Sequence, residues 1–294
     1  EGEGEEGKAG ARRDRREIRQ TDGPDVTYSE LLAASLGLHA AINAHLDGAN
    51  GKDHEGREIR IALFLPRGPV LLAAMLAVWR MGAVAIPISV NLPGDRVREL
   101  LRQSKPGLTI TDTSHQEILL PAVTGLGLRC LLAGSAAPAA PELPAAPADP
   151  DRPAIILFTS GSTGEPKGVA LSGRGLLNRL AWGGRFIPVT PEYSGCSKTD
   201  VAFGDFFCEL FSPLLHGFPL TILPEERITH ADALFDLLLE HPVTRLVAVP
   251  RLLLELAAIA RHTGVQLCDL RHVPSRCEPL SCGRVDALPR AFPP

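Results

Sequence analysis

Ile156-Leu-Phe-Thr-Ser-Gly-Ser-Thr-Gly-Glu-Pro-Lys167-Gly168 is the stretch that decides how this chain is read. It continues an apolar run, Ala154 to Phe158, of the kind that forms a buried strand. The segment then turns small, hydroxylated and glycine-rich, and ends in a lysine. Glycines let backbone N–H groups come close to a polyphosphate, hydroxyls add donors, and a lysine adds positive charge. Thr159, Ser160, Gly161, Ser162, Thr163, Gly164 and Lys167 are therefore the candidate phosphate-binding residues. The spacing is not that of the GxxxxGK(S/T) loop, because Gly161 and Lys167 are six apart, Pro166 lies between them and Gly168 follows. An ordinary Gly/Ser/Thr turn is the competing reading, in which Lys167 points into solvent.

Outward from this loop, strands and helices alternate. Downstream, the pattern predicts helices near 173–184 and 207–216, a strand at 219–223 and a helix at 231–240. A strand at 245–249 and a helix from about Arg251 to Arg261 follow. Upstream, Ser29 is the predicted N-cap of a helix reaching about Leu46. A polar loop at 50–58 leads into a continuous apolar strand from Ile59 to Leu65. Next come a helix from about Val70 to Arg80, a strand from Ala83 to Ile88, a helix from about Gly94 to Ser104 and a strand from Leu108 to Thr111. Strands separated by helices imply parallel βαβ units. The expected fold class is α/β, with two βα subdomains whose largely parallel sheets are layered α/β/α. Residues 1–22 read as a disordered charged tail and 23–133 as the first subdomain. Residues 134–153 read as an extended Pro/Ala-rich linker, and 154–294 as the second subdomain, carrying the loop.

Composition narrows the function classes. The 294 residues are 45% hydrophobic and 22% charged, enough to fold around a real core. A formal net charge of −4 with no polybasic stretch argues against nucleic acid as the partner. Pro69 to Trp79 is too short to span a bilayer and is closed by Arg80, so no membrane role is expected. Cysteines 130, 196, 208, 268, 277 and 282 show neither CxxC pairs nor His/Cys ligand spacing. They read as reduced thiols of a cytoplasmic protein, with no metal site.

The loop resembles, residue for residue, the signature loop of the AMP-forming adenylate synthetases. That superfamily includes acyl-CoA synthetases, luciferases and the adenylation domains of nonribosomal peptide synthetases. Further segments resemble the family in its order. They are Thr27-Tyr28-Ser29-Glu30-Leu31, Ala62 to Arg67, Leu71 to Pro87 with Arg80-Met-Gly82, and Asn91-Leu-Pro93-Gly-Asp-Arg96. After the loop, Lys198 to Phe211, Leu246-Val-Ala-Val-Pro250 and Glu278-Pro-Leu continue the series, with Cys277 where the family usually has Gly. The resemblance thus runs from about Asp25 to the C-terminus.

The resemblance implies a two-step reaction. A carboxylate attacks the α-phosphate of ATP, giving an acyl-adenylate and pyrophosphate, and the acyl group then passes to a thiol. ATP and Mg²⁺ are implied for the whole reaction, with coenzyme A or a carrier-domain phosphopantetheine as acceptor. The implied substrate is a small carboxylic or amino acid. In the family's α-amino-acid domains an aspartate directly follows the phenylalanine and pairs with the substrate ammonium. Here Gly204 follows Phe203 and the acid is Asp205. That shift resembles domains that activate β-alanine, whose ammonium lies one carbon farther from the carboxylate. Asp205 either anchors that ammonium or caps the helix beginning near Phe206. Glu209 resembles the family's helix glutamate at the substrate pocket, the alternative being a solvated helix acid. The chain begins at Glu1, ends at Pro294, and contains no Tyr-Gly-x-Thr-Glu segment. By the resemblance, the expectation is a C-terminally truncated synthetase with no catalytic residue and no magnesium ligand assigned in this chain. Two alternatives stand beside it: an acyl-CoA synthetase for an uncharged acid, and a nucleotide-binding fragment without catalysis.

Overall fold

A computed structural model describes residues 16–46, 48–49, 51–53, 55–135, 145–147, 149–159, 165–186, 193–228, 230–241 and 243–275. Strands β1 (Arg16–Gln20) and β2 (Val26–Thr27) precede helix α1 (Tyr28–His45), and β3 (Gly48–Ala49) pairs antiparallel with β4 (Lys52–Asp53). Then come β5 (Arg60–Phe64), α2 (Pro69–Arg80), β6 (Val84–Pro87), α3 (Gly94–Ser104), β7 (Leu108–Thr111), α4 (Gln116–Gly125) and β8 (Cys130–Leu132). The later elements are β9 (Pro153–Thr159), β10 (Lys167–Ser172), α5 (Gly173–Phe186), β11 (Gly195–Ser197) and α6 (Asp205–His216), followed by β12 (Leu220–Ile222), α7 (Ala231–Glu240) and α8 (Pro250–Thr263). The chain divides into two compact units, one of Thr27–Arg179 with Asp200–Gly204 and one of the remaining residues.

The first unit is built on a six-stranded sheet of order β10-β9-β6-β5-β7-β8, parallel throughout except for β10. Its central strands are mostly apolar, and buried along nearly their whole length, because helices cover both faces. Ala62, Phe64, Ile86 and Ile88 point to one face and pack with Val97, Leu100 and Leu101 of α3 and Leu119 of α4. The alternating residues Ile61, Leu63 and Ala85 are equally buried on the face where α2 packs, with α1 against α2. The α/β/α layering expected from the alternation of elements is present here.

Several boundaries differ from the sequence expectation. The cap of α1 is Thr27, not Ser29, because Thr27 and Glu30 form a reciprocal capping box. The expected divide at 134–153 is not where the units part. β9, which starts at the end of that run, joins the same sheet as β6 with Ile155 opposite Ala85, and buries Ile155 and Leu157. Within this run, residues 136–144 and 148 lie outside the described residues.

The second unit has a sheet of order β11-β12-β1-β2, in which β11, β12 and β1 run parallel. Part of the expected tail is therefore ordered: Ile18 sits opposite Leu220 and is fully buried. Backbone pairing plus one apolar anchor suffices where the flanking residues are charged. Residues 1–15 of the tail lie outside the described residues. The core combines Phe235 and Leu238 of α7, Leu253 and Leu256 of α8, and Leu223, Leu246, Leu267 and Leu270 from the connections. The strand expected at 245–249 forms only isolated bridges, Arg245 with Gly195 and His272, and Ala248 with Ser275. Pro250 starts α8 at once and cuts the extended run short.

Candidate functional site

The glycine-rich loop joins the two strands of a β-hairpin. β9 and β10 pair antiparallel with Thr159 opposite Lys167, and Thr159 Oγ donates to the Lys167 carbonyl at 3.4 Å. Thr159 is the last residue of β9, a strand parallel to β6, so the loop leaves the sheet at the carboxyl ends of its strands. In open α/β sheets that edge is where ligands bind. Lys167 is exposed and opens β10, a strand the sequence reading did not anticipate. Ser160, Gly161, Ser162, Thr163 and Gly164 lie outside the described residues, so the site is built from its two flanks.

Ser89 and Asp200, which sequence reasoning missed, meet at the same edge of this unit. Ser89 follows β6 by two residues, and its Oγ donates to Asp200 Oδ2 at 2.5 Å. A cavity of about 100 Å³ separates Ser89, Arg96 and Ala202 from Thr159 and Pro166. A larger cavity, about 570 Å³, lies beside Ile59, Arg60 and Gly107, at the amino ends of β5 and β7. It is thus at the opposite edge from the hairpin loop. Its arginines are already engaged, Arg60 donating to the Ser104 carbonyl at 3.3 Å, Arg129 to that of His45, and Arg57 paired with Asp53 and Glu55. We therefore do not assign it to the same chemistry.

In the other unit, Asp205 and Glu209 are one turn apart on α6. Asp205 is the first residue of the helix and half-buried, so its carboxylate stands in the turn where the helix dipole favours negative charge. Glu209 is 5% exposed, which rules out a solvated helix acid. Its Oε2 accepts the backbone N–H groups of Lys198 at 3.0 Å and Thr199 at 2.8 Å, and its Oε1 accepts the Thr199 hydroxyl at 2.7 Å. Burial pushes its carboxyl above the ordinary glutamate range, against the Lys198 charge and these hydrogen bonds, which act to lower it. Glu209 therefore holds the segment entering the Asp200 turn.

Among the described residues, no group of three or more His, Cys, Asp or Glu side chains is placed to hold a metal ion. None of the described helices is long and apolar enough to cross a membrane. Cys130, Cys196, Cys208 and Cys268 are not in disulfides. Cys277, Cys282 and the Glu278-Pro-Leu segment lie outside the described residues.

Known proteins resemble this chain in sequence and in fold. Over 208 residues the chain is 32% identical to the β-alanyl-bioamine nonribosomal peptide synthetase ebony of Drosophila melanogaster, covering 69% of this chain and 24% of that protein. It is 32% identical over 211 residues to enterobactin synthase component F of Escherichia coli K12, covering 71% of this chain and 16% of the relative. The chain thus spans about a quarter or less of these curated relatives. Its fold matches the AMPPNP-bound form of the nonribosomal peptide synthetase FmoA3 with a TM-score of 0.82 at 24% identity, over 98% of this chain and 29% of that one. The sequence profile of the AMP-binding enzymes matches residues 6–294, which include the hairpin loop, both sheets and α6. With the loop placed at the carboxyl edge of the sheet and nearly the whole chain accounted for, the protein belongs to the AMP-binding enzyme family.

Proposed function

We propose that the protein activates an acid bearing an amino group on its β-carbon, β-alanine being the simplest, as an acyl-adenylate. A carboxylate oxygen of the acid bonds to the α-phosphorus of ATP, the bond from that phosphorus to the bridging oxygen breaks, and pyrophosphate leaves. The thiol of coenzyme A or of a carrier-domain phosphopantetheine then attacks the acyl carbonyl and AMP departs. Charge builds on the leaving pyrophosphate, and prepositioned donors and cations facing it lower the barrier. Lys167 and Thr159 at the loop flanks, with Ser160 to Gly164 between them, are the residues we assign to that task.

One observation carries the choice of acid. The chain order is Phe203-Gly204-Asp205, and Asp205 opens α6. An ammonium group removed from water needs a carboxylate partner, and the partner's place must follow the length of the substrate. The relative named for β-alanyl transfer, at 32% identity, supports the same reading. Glu209, with both oxygens engaged by Lys198 and Thr199, acts in our reading by fixing that segment and not by touching the acid. Mg²⁺ would neutralise polyphosphate charge when bound; no group of three or more His, Cys, Asp or Glu among the described residues is placed to hold it, and no step is routed through it.

The test is Asp205→Asn in the full-length protein, read by acid-dependent exchange of pyrophosphate into ATP. Losing a charged partner of a desolvated ammonium costs about 3 kcal/mol, so β-alanine turnover should fall roughly a hundredfold. Exchange with propionate should stay at its wild-type level. Full retention of β-alanine exchange would remove the anchor, and preference for propionate in the wild type would favour an uncharged-acid synthetase.

A further inference from the structure

Asp200–Gly204 belongs to the Thr27–Arg179 unit, while Thr199 before it and Asp205 after it do not. Little apolar area holds these five residues in place. Val201 is buried, but Ala202, Phe203 and Gly204 are exposed, Phe203 at 61%. The hold is polar. Asp200 Oδ2 accepts Ser89 Oγ at 2.5 Å and Asn91 Nδ2 at 3.5 Å. Ser89 is 4% exposed, and its Oγ accepts the Asn91 N–H at 3.3 Å, so the donor is itself fixed. The other Asp200 oxygen accepts the Ala202 N–H at 2.8 Å, and the Asp200 carbonyl accepts the Phe203 N–H at 3.0 Å. Asp200 thus closes the turn with its carboxylate on Ala202 and its carbonyl on Phe203, and the same carboxylate fastens the turn to the loop after β6. The turn ends beside β9, where a Cβ on Gly204 would stand 3.9 Å from Leu157 Cδ1.

We infer that Asp200 is a positioning residue for acid selection. Through Ser89 it fixes where Phe203 and Gly204 stand, and so the point from which Asp205 reaches the substrate's amino group. The inference rests on the reading of Asp205 proposed above. The physical case is a hydrogen bond between a neutral donor and a charged acceptor, with the donor buried and committed to it. Such a bond sets geometry because the alternatives leave a buried polar group unpaired. The hydrogen bonds of the Asp200 carboxylate go to Ser89, Asn91 and Ala202 and, among the described nucleotide residues, to neither Thr159 nor Lys167, so its loss should act mainly on one substrate.

The test compares Ser89→Ala, Asp200→Ser, Ser89→Asp and the exchanged pair Ser89→Asp/Asp200→Ser in the full-length protein. Hydrogen exchange at the Ala202 and Phe203 amides is read beside the KM values for acid and ATP. Ser89→Ala and Asp200→Ser should each speed amide exchange and raise the acid KM by roughly tenfold, with the ATP KM little changed. Ser89→Asp should be worse, since two carboxylates then face each other. The exchanged pair restores a hydroxyl facing a carboxylate with donor and acceptor reversed, and should return both readouts toward wild type. Unchanged amide protection in Asp200→Ser would overturn the clasp. Faster amide exchange with an unmoved acid KM, or equal rises in both KM values, would overturn its role in selection, as would an exchanged pair no better than the single variants. A wild type that exchanges with no acid overturns the proposed function and selection together, while the amide readout still decides the clasp.

Discussion

Glu209→Ala should be among the most costly single changes in the α6 unit. The carboxylate is 5% exposed and accepts two backbone N–H groups and one hydroxyl, at 2.7 to 3.0 Å. Alanine leaves both half-buried N–H groups without this acceptor. At about 1–3 kcal/mol each, the expected loss is roughly 2–6 kcal/mol of unfolding free energy. Glu209→Gln should behave differently. Its amide oxygen can accept both N–H groups, and the Thr199 hydroxyl can turn to accept from the amide nitrogen. That variant should stay within about 1 kcal/mol of wild type. The two variants also part in their dependence on pH. Burial raises the Glu209 carboxyl above its ordinary value, so the folded chain holds this proton more tightly than the unfolded chain does. The proton-linked stabilisation is complete below the ordinary glutamate pKa of about 4.3 and is lost as pH rises through the raised folded value. Relative to Glu209→Gln, wild type should therefore gain stability as pH falls toward about 4.3. Urea unfolding of the three proteins at several pH values measures both effects through the midpoint at constant slope. An alanine variant within about 1 kcal/mol of wild type, or a glutamine variant with the wild-type pH dependence, would refute the reasoning.

Further outcomes follow from other positions. Lys167 is exposed at the start of β10, so Lys167→Ala should leave the unfolding midpoint unchanged while weakening ATP binding by calorimetry about tenfold, near 1.4 kcal/mol. An unchanged Kd would remove Lys167 from the phosphate site. Gly51 has φ +71°, and a Cβ there would lie 1.9 Å from the Gly82 carbonyl oxygen, so Gly51→Ala should cost at least about 2 kcal/mol in urea unfolding. Thr27→Ala removes the capping box of α1 and should cost about 1 kcal/mol, seen as a lowered Tm; no shift would show the cap idle. His39 is buried on α1, and burial with the nearby Arg80 charge lowers its pKa. Its contribution is present above about pH 6.5 and is lost as pH falls through the lowered folded value, so His39→Leu should flatten the stability profile on the acid side.

The parallel core was legible because its code is local. Runs such as Ile61–Phe64 and Val84–Pro87 are apolar throughout and flanked by helices, and α3 and α8 sit where period and Pro or Gly punctuation put them. Elements whose burial depends on a distant partner were harder to see. β1 has one buried apolar residue, Ile18, and owes its pairing to Leu220, some two hundred positions away. β10 is exposed along most of its length, and only its register with β9 reveals it as a strand. At the candidate site, residue types singled out the loop, and the family resemblance singled out Asp205 and Glu209. The sequence did not show that Glu209 is spent on the Lys198–Thr199 backbone. Nor did it pair Ser89 with Asp200 across 111 positions; the one local hint is the Asp200 turn onto Ala202.

The most direct test of the account is exchange of labelled pyrophosphate into ATP by the full-length protein. It would be run with glycine, β-alanine, γ-aminobutyrate and propionate at equal concentration. The account predicts acid-dependent exchange that is highest with β-alanine, lower for the shorter and longer amino acids, and lowest for propionate. Exchange highest with glycine or propionate would contradict the assigned role of Asp205, and no exchange with any acid would contradict activation itself.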